Sequence, residues 1–403
     1  MNKGGLALRY AAWFFGMIAL FTVSMTLAYC IPQEALAFKQ ETSVDILDME
    51  HGAFGNFFGV DPGRLDNQTD SLMIDQVLPA DSSMSPLEAA MSVNDYSRYW
   101  HGYMVFLRPL LIKLNLWQIR YVNMFAFFLL TGGVFLMIDR KLSGGYAFAF
   151  LASLIACYIV IVPMSLQYNS VFLVLLCAML FLLLRYERMT PEGAPLFFMV
   201  VGMITNFLDF LTAPLLTLGM PLLLLLELDM HRQERTTLAF LLKRLVLCSV
   251  AWGAGYALCW VSKWIIGSLV LGESVFDSAG DHAAGWLANN WGQYGRLYAC
   301  QYNFWFFFLI HGKRVYLPLI IPAVAYAICL FRFPAKNVKN ACILLPVCLY
   351  PYLWYMVMTN HSLFHTWFTN RLQAMTLFGA LMFMIELVDW KRCKEALGRR
   401  MSR

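Results

Sequence analysis

The sequence predicts an all-α polytopic membrane protein of about ten transmembrane helices, with a long polar loop after the first of them. Three observations carry this expectation. Of the 403 residues, 60% are hydrophobic and only 14% charged, with a mean hydropathy of +0.59. Soluble domains are nearer half apolar and a quarter charged. Apolar runs recur along the whole chain, and Lys and Arg concentrate in alternate connections between them, as orientation in a membrane demands.

A helix needs about 20 apolar residues to cross a bilayer. By that measure the runs are 9–31, 117–138, 146–163, 167–184, 195–213, 214–228, 245–266, 314–331, 341–358 and 372–389. The first begins with Lys3 and Arg9, and its apolar core is too long for a cleaved signal peptide, so it is expected to stay as a helix. Runs 195–213 and 214–228 are short, are separated only by Ala213-Pro214, and have Pro221 inside the second. They form either two crossings or a broken, re-entrant hairpin. The chain is then a single membrane domain: first helix, extracytoplasmic loop 32–116, helices two to seven over 117–266, second extracytoplasmic loop 267–313, helices eight to ten over 314–389, and a basic tail 390–403.

Orientation follows from charge. With the amino terminus inside, the inner segments hold Lys3, Arg9, Arg140, Lys141, Arg185, Arg188, Arg232, Arg235, Lys243, Arg244, Arg332, Lys336, Lys339 and six basic residues of the tail. The first loop is the reverse: residues 32–101 carry twelve acids against Lys39, Arg64 and Arg98. Both termini are therefore expected to be cytoplasmic, in the cytoplasmic membrane. The inner connections are short, so chemistry is expected on the outer side. The outer loops contain amphipathic stretches too short to span (Pro86–Tyr96, Tyr103–Leu114, Tyr302–Ile310), which suit the membrane interface.

Some function classes are excluded. The basic residues never form an aromatic-interleaved solvated patch, so nucleic acid is not a partner. Most of the ten cysteines lie in apolar runs, with no CxxC pair or disulfide framework. A P-loop, a nucleophile elbow and GxGxxG are all missing.

Among the first-loop acids, Asp66 and Asp70 are four apart around Asn67 and Thr69 and share a face of a helical turn. Such a pair can share a proton or a cation, or one member can act as general base; alternatively the loop is simply acidic and solvated, with an N-cap at Asp66 or Thr69. The segment Arg98-Tyr-Trp100-His101-Gly-Tyr103 leads to Arg108-Pro109. On a helix Arg98, His101 and Arg108 fall within about 80°, a cationic stripe beside aromatics that suits a phosphate or a headgroup belt. Asp209 and Lys263 lie at matching depths in their runs, where ionisable residues are expensive; they either pair or hold a ligand. Near the last run, His361 and His365 are i,i+4 and Arg371 follows. That spacing can hold a metal, although the Glu of the zinc-protease pattern is absent; hydrogen bonds to a carboxylate or phosphate are the other use.

A first helix, a long acidic outer loop with interfacial helices, then many helices with short inner turns resembles the GT-C class of membrane glycosyltransferases. The stretches Asp66-Asn-Gln-Thr-Asp70, Arg98-Tyr-Trp-His-Gly, Asp209-Phe-Leu-Thr-Ala-Pro214 and Asn360-His-Ser…Arg371 are also similar to those of an uncharacterised bacterial multipass membrane protein family. The architectural resemblance covers nearly the whole chain. It implies a GT-C-like fold and a polyprenyl-phosphate-linked sugar donor, used at the outer face to glycosylate a cell-surface glycan or lipid. It also implies a first-loop carboxylate as base, with Asp45, Asp48 or Glu50 favoured by position over Asp66 and Asp70, and in some members a divalent cation. Arg98, Trp100, His101, Arg108, Asp209, Lys263, His361, His365 and Arg371 would then bind substrate. The competing expectations are a transporter or flippase for a glycolipid or polyanion, and a non-enzymatic assembly subunit.

Overall fold

The computed structural model describes residues 3–50, 52–56, 59, 63–232, 236–289, 295–308, 317–336 and 338–401. Asp61, Arg235, the first three residues of the run 314–331 and the end of the Tyr302–Ile310 stretch lie outside the described residues. The described chain is helical, broken by short 3₁₀ turns and two isolated β-bridges. In order the helices are α1 Lys3–Tyr29, α2 Glu34–Met49, α3 Asn67–Asp75, α4 Pro86–Ser92, α5 Met104–Leu111, α6 Leu116–Lys141 and α7 Gly144–Ala156. There follow α8 Leu166–Arg185, α9 Gly193–Leu208, α10 Leu216–Arg232, α11 Leu238–Leu271, α12 Val275–Leu287 and α13 Arg296–Phe308. The last are α14 Leu317–Arg332, α15 Leu344–Cys348, α16 Tyr350–Val357, α17 Thr359–Phe364, α18 Thr366–Thr369, α19 Gln373–Glu386 and α20 Trp390–Met401.

Among the described residues, four helical segments are long and apolar enough to cross a membrane: Gly4–Tyr29, Leu116–Lys141, Leu166–Arg188 and Leu238–Leu271. Their outward faces carry large apolar side chains such as Phe15, Leu27, Phe125 and Phe128, the last 78% exposed. A continuous apolar exterior of this kind fits hydrocarbon, not water. The other predicted runs are shorter helices or broken ones. The run 146–163 stops as α7 at Ala156 and resumes as a 3₁₀ turn, Ile159–Met164, because Tyr158 takes a left-handed φ of 55°. The run 341–358 is divided into a 3₁₀ turn, α15 and α16, with Pro346 and Pro351 removing the N–H groups that a continuous helix needs. The runs 195–213 and 214–228 become α9 and α10, joined by a turn over 209–215 in which Leu211 has a φ of 64°.

Packing is closest where small residues allow it. α9 crosses α11 at Gly202 and Gly255: a Cβ on the first would stand 2.2 Å from the Trp252 carbonyl oxygen, and on the second 2.2 Å from that of Met199. Backbones this close are characteristic of helices that associate in lipid through small-residue contacts. The neighbouring polar groups are satisfied across the same junction, where Trp252 Nε1 donates to Thr217 Oγ1 (3.1 Å) and Thr205 shares a hydroxyl bond with Thr217 (2.7 Å).

The first loop is not a solvated flap. α4 and α5 pack against α1, α4 also against α11, and α2 and α3 against α6 and α8. The interfacial stretches expected at Pro86–Tyr96 and Tyr103–Leu114 contain the short helices α4 and α5, and the described part of Tyr302–Ile310, as far as Phe308, is the end of α13.

Candidate functional site

The first loop, the second loop and the turn before α19 meet around a cavity of about 170 Å³. α3 supplies Thr69, Leu72 and Met73, with Gln76 just beyond its end; the loop after α4 supplies Tyr96 and Tyr99. α8 contributes Gln167, the α9–α10 turn Phe210, and α12 both His282 and Trp286. His361, His365 and Phe368 close it from the far end of the sequence.

The aromatic groups pack on one another. Trp286 stands 5.1 Å, centroid to centroid, from both His361 and His365, those two histidines are 5.0 Å apart, and His365 stacks on Phe368 at 4.8 Å. Trp286 Nε1 donates to His282 Nε2 at 2.7 Å, which makes Nδ1 the protonated nitrogen of that ring. The Nδ1 atoms of His361 and His365 are buried with no hydrogen-bond partner. Burial keeps all three rings uncharged at neutral pH: His282 and His365 are lowered to about 4, and His361 is held well below its ordinary value. The lining therefore offers aromatic faces and neutral donors and acceptors, with no carboxylate.

Asp66 stands beside this wall, one helical turn before Thr69. It is the N-cap of α3, with Oδ1 accepting from Thr69 N (3.0 Å) and Oδ2 from Trp367 Nε1 (3.2 Å). Burial raises its carboxyl above the usual range against the pull of those donors. The guanidinium of Arg64 covers the same corner, 3.9 Å from the ring centre of Phe54 and 4.6 Å from that of Trp367.

The remaining candidates are placed as follows. Asp70 lies in the first turn of α3, which Asp66 caps, but the two carboxyls have separate partners: that of Asp70 is at the start of α8, where it accepts from Ser165 Oγ, Leu166 N and Gln167 N, each at 3.0 Å. It thus caps helix N–H groups that would otherwise be orphaned in the interior. Glu50 is ion-paired with the buried Arg120 of α6, and accepts from Asn67 Nδ2 at 3.3 Å. Asp48 is exposed and lines an open polar pocket with Asn67, Gln68 and Ser71 on the other side of α3.

The expected cationic stripe does not form, because residues 98–101 are a turn and α5 begins only at Met104. Arg98 lies over the Tyr96 ring at 3.8 Å, while Trp100 is core, donating Nε1 to Cys259 O at 2.9 Å. His101, at a left-handed φ of 55°, is buried against Tyr96 O (2.8 Å) and the Tyr103 hydroxyl (3.3 Å). Arg108 has the partner that its position before Pro109 required, but it is backbone: Nε donates to Ala28 O (2.9 Å), and the two terminal nitrogens to Ile31 O (3.0 Å) and Val77 O.

The expected Asp209–Lys263 ion pair is likewise absent. Asp209 accepts from Thr212 N at 3.0 Å and holds the α9–α10 turn, whereas Lys263 donates to Met91 O at 2.6 Å and caps the last turn of α4. The first satisfies a turn amide and the second a carbonyl at a helix end, needs that matched depth does not reveal. Arg371 is buried over the Tyr168 ring at 4.3 Å and donates to Trp367 O, next to the indole that binds Asp66.

Of the predicted residues the cavity thus gathers His361 and His365 on its wall and Asp66, Arg98 and Arg371 around it. Missed were His282, Trp286, Gln76, Gln167 and Arg64. His282 and Trp286 carried a usable signal, being i,i+4 within 275–287, a stretch of the second loop that the sequence reading did not single out. Compared with known protein families, curated proteins and solved structures, the chain matches none.

Proposed function

We propose that this protein transfers a sugar from a polyprenyl-phosphate-linked donor to a glycan or lipid acceptor at the outer face of the cytoplasmic membrane, with Asp66 as general base. The observation that carries the proposal is the cavity beside Asp66. Sugars present C–H faces that stack on aromatic rings and hydroxyls that exchange hydrogen bonds with neutral groups, and the Trp286, Tyr96 and Tyr99 rings with Gln76, Gln167 and the three histidines supply both. A small number of polar groups on a largely aromatic wall is the usual composition of an orienting site.

Asp66 suits the base better than its neighbours. Asp70 and Glu50 are committed to holding helices, and Asp48 is exposed. Burial lifts the Asp66 carboxyl towards the range in which a base works near neutral pH. A departing lipid phosphate needs cations, and Arg64 and Arg98 each keep a buried Nε with no hydrogen-bond partner. The GT-C-like arrangement of about ten spans, with both termini cytoplasmic, belongs to the same proposal, since it turns the cavity to the outer side.

The test is reconstitution of purified protein with radiolabelled polyprenyl-phosphate sugars and acceptors, wild type beside Asp66→Asn. Sugar transfer by the wild type, abolished by the substitution while the fold is kept, is the expected result. Movement of the intact lipid-linked substrate without transfer would support transport instead.

A further inference from the structure

At the other end of the bundle, Glu227 and His231 of α10 meet Glu386 at the end of α19, beside Tyr146 of α7. α10 starts next to the α9–α10 turn at the cavity, and from Leu216 to Glu227 a helix rises about 17 Å, so this cluster is remote from the site described above. One ligand atom from each of Glu227, His231 and Glu386 lies within 4.8 Å of the others.

Two features distinguish the cluster from a solvated acidic patch. Glu227 is fully buried, and neither of its carboxylate oxygens has a hydrogen-bond partner. A buried acid without donors is costly, and such charges are paired or coordinate metals. The second feature is the orientation of His231. Its Nδ1 is 3.1 Å from the backbone carbonyl oxygen of Glu227, which can only accept, so Nδ1 carries the proton. In the neutral ring, the form that binds a metal, the lone pair is then on Nε2, 3.9 Å from Glu386 Oε1. A histidine whose other ring nitrogen donates to a backbone carbonyl is the arrangement that fixes a metal-binding tautomer. Nδ1 is also 3.2 Å from Glu227 Oε1, so with the ring protonated the two side chains form an ion pair, which a bound cation would replace.

We infer that Glu227, His231 Nε2 and Glu386 form a binding site for one divalent first-row cation of the Mn²⁺ or Zn²⁺ type. Two carboxylates and one imidazole are hard-to-borderline donors that suit these ions. Ligand atoms around such an ion stand about 3.4 Å apart, so the site closes by small side-chain rotations. Tyr146 donates its hydroxyl to Glu386 Oε1 and orients that ligand from outside the ion's own shell. The side chains of His231 and Glu386 are 44% and 25% exposed, which gives the ion its entry path and leaves positions for water. Joining α10 to α19, the ion would clamp the end of the bundle furthest from the cavity.

The experiment uses the full-length protein in nanodiscs, stripped with chelator and titrated with Mn²⁺ alone, bound ion being counted by electron paramagnetic resonance. Mn²⁺ avoids the thiols of Cys329 and Cys393, which lie 3.7 Å apart. One ion per chain is expected for the wild type, with affinity at least about tenfold weaker in Glu227→Gln, Glu386→Gln and His231→Gln, and unchanged in His361→Gln/His365→Gln. Mn²⁺ should also raise the melting temperature of the wild type but not of His231→Gln, whose side chain is 44% exposed. Absence of wild-type binding overturns the inference. So does binding that survives all three substitutions, or that disappears only with the cavity histidines.

Discussion

The indole Nε1 of Trp367 donates to Asp66 Oδ2 at 3.2 Å, although the two residues are 301 apart in sequence. This bond joins the first loop to the turn before α19 and brings the Asp66 carboxyl against the aromatic wall, each of its oxygens accepting one hydrogen bond. Asp66→Asn keeps the α3 cap, since Asn is as good an N-cap as Asp, but removes the base. Transfer by the reconstituted protein should fall by a factor of about 10² or more with the melting temperature little changed. Trp367→Phe, which removes only the donor, should reduce transfer less.

Asp70 is a structural acid, and its substitution should affect stability first. Asp70→Ala strips three hydrogen bonds from the start of α8 and leaves buried N–H groups unpaired. A loss of about 1–3 kcal/mol is expected, read as a lower midpoint in thermal unfolding of the detergent-solubilised protein.

Arg108→Lys should not restore what Arg108→Met removes. Only the guanidinium fork reaches the carbonyls of Ala28, Ile31 and Val77 at once, and together they tie the end of α1 to the first loop. Both variants should show faster proteolysis between α3 and α5, measured by time-resolved digestion, while α11 remains protected.

The cavity histidines and Asp70 set opposite pH dependences. His282 and His365 bind a proton near 6.5 when exposed but only near about 4 when folded. Between these values the unfolded chain holds more protons, so stability falls as the pH drops through the window. Asp70, raised from 3.8 to about 7, keeps its proton in the folded state where the unfolded chain has lost it, so its contribution falls as the pH rises through that range. Melting curves at pH 4.5 and 7.5 should therefore separate the variants: His282→Gln/His365→Gln loses part of the acid sensitivity, and Asp70→Asn loses the opposing term.

Gly202→Val and Gly255→Val should each open the α9–α11 crossing, because the added carbons meet backbone atoms that cannot move aside. Expression as folded monodisperse protein should drop sharply for both. Gly280→Ala, where no heavy atom lies within 4 Å of the new carbon, should be neutral.

The sequence by itself determined the solvent and the material of this fold. Runs such as 9–31, 117–138, 167–184 and 245–266 are helices because their apolar length leaves no other way to satisfy their backbone in lipid, and they match α1, α6, α8 and α11. It also placed Asp66 and Asp70 on one short helix, and aimed His361 and His365 the same way, since both spacings are local. Tertiary structure decided what each charged residue does. Arg108, Lys263, Asp70 and Asp209 looked like ligand groups because charge in an apolar chain demands a partner. Asp209 holds the amide of Thr212 three residues on, a local contact; the partners of the other three are the unpaired ends of helices, whose positions exist only once α1, α4 and α8 are packed. The cavity is a product of the same packing: His282, Gln167 and His361 become neighbours only where three loops converge, and no spacing along the chain encodes that meeting.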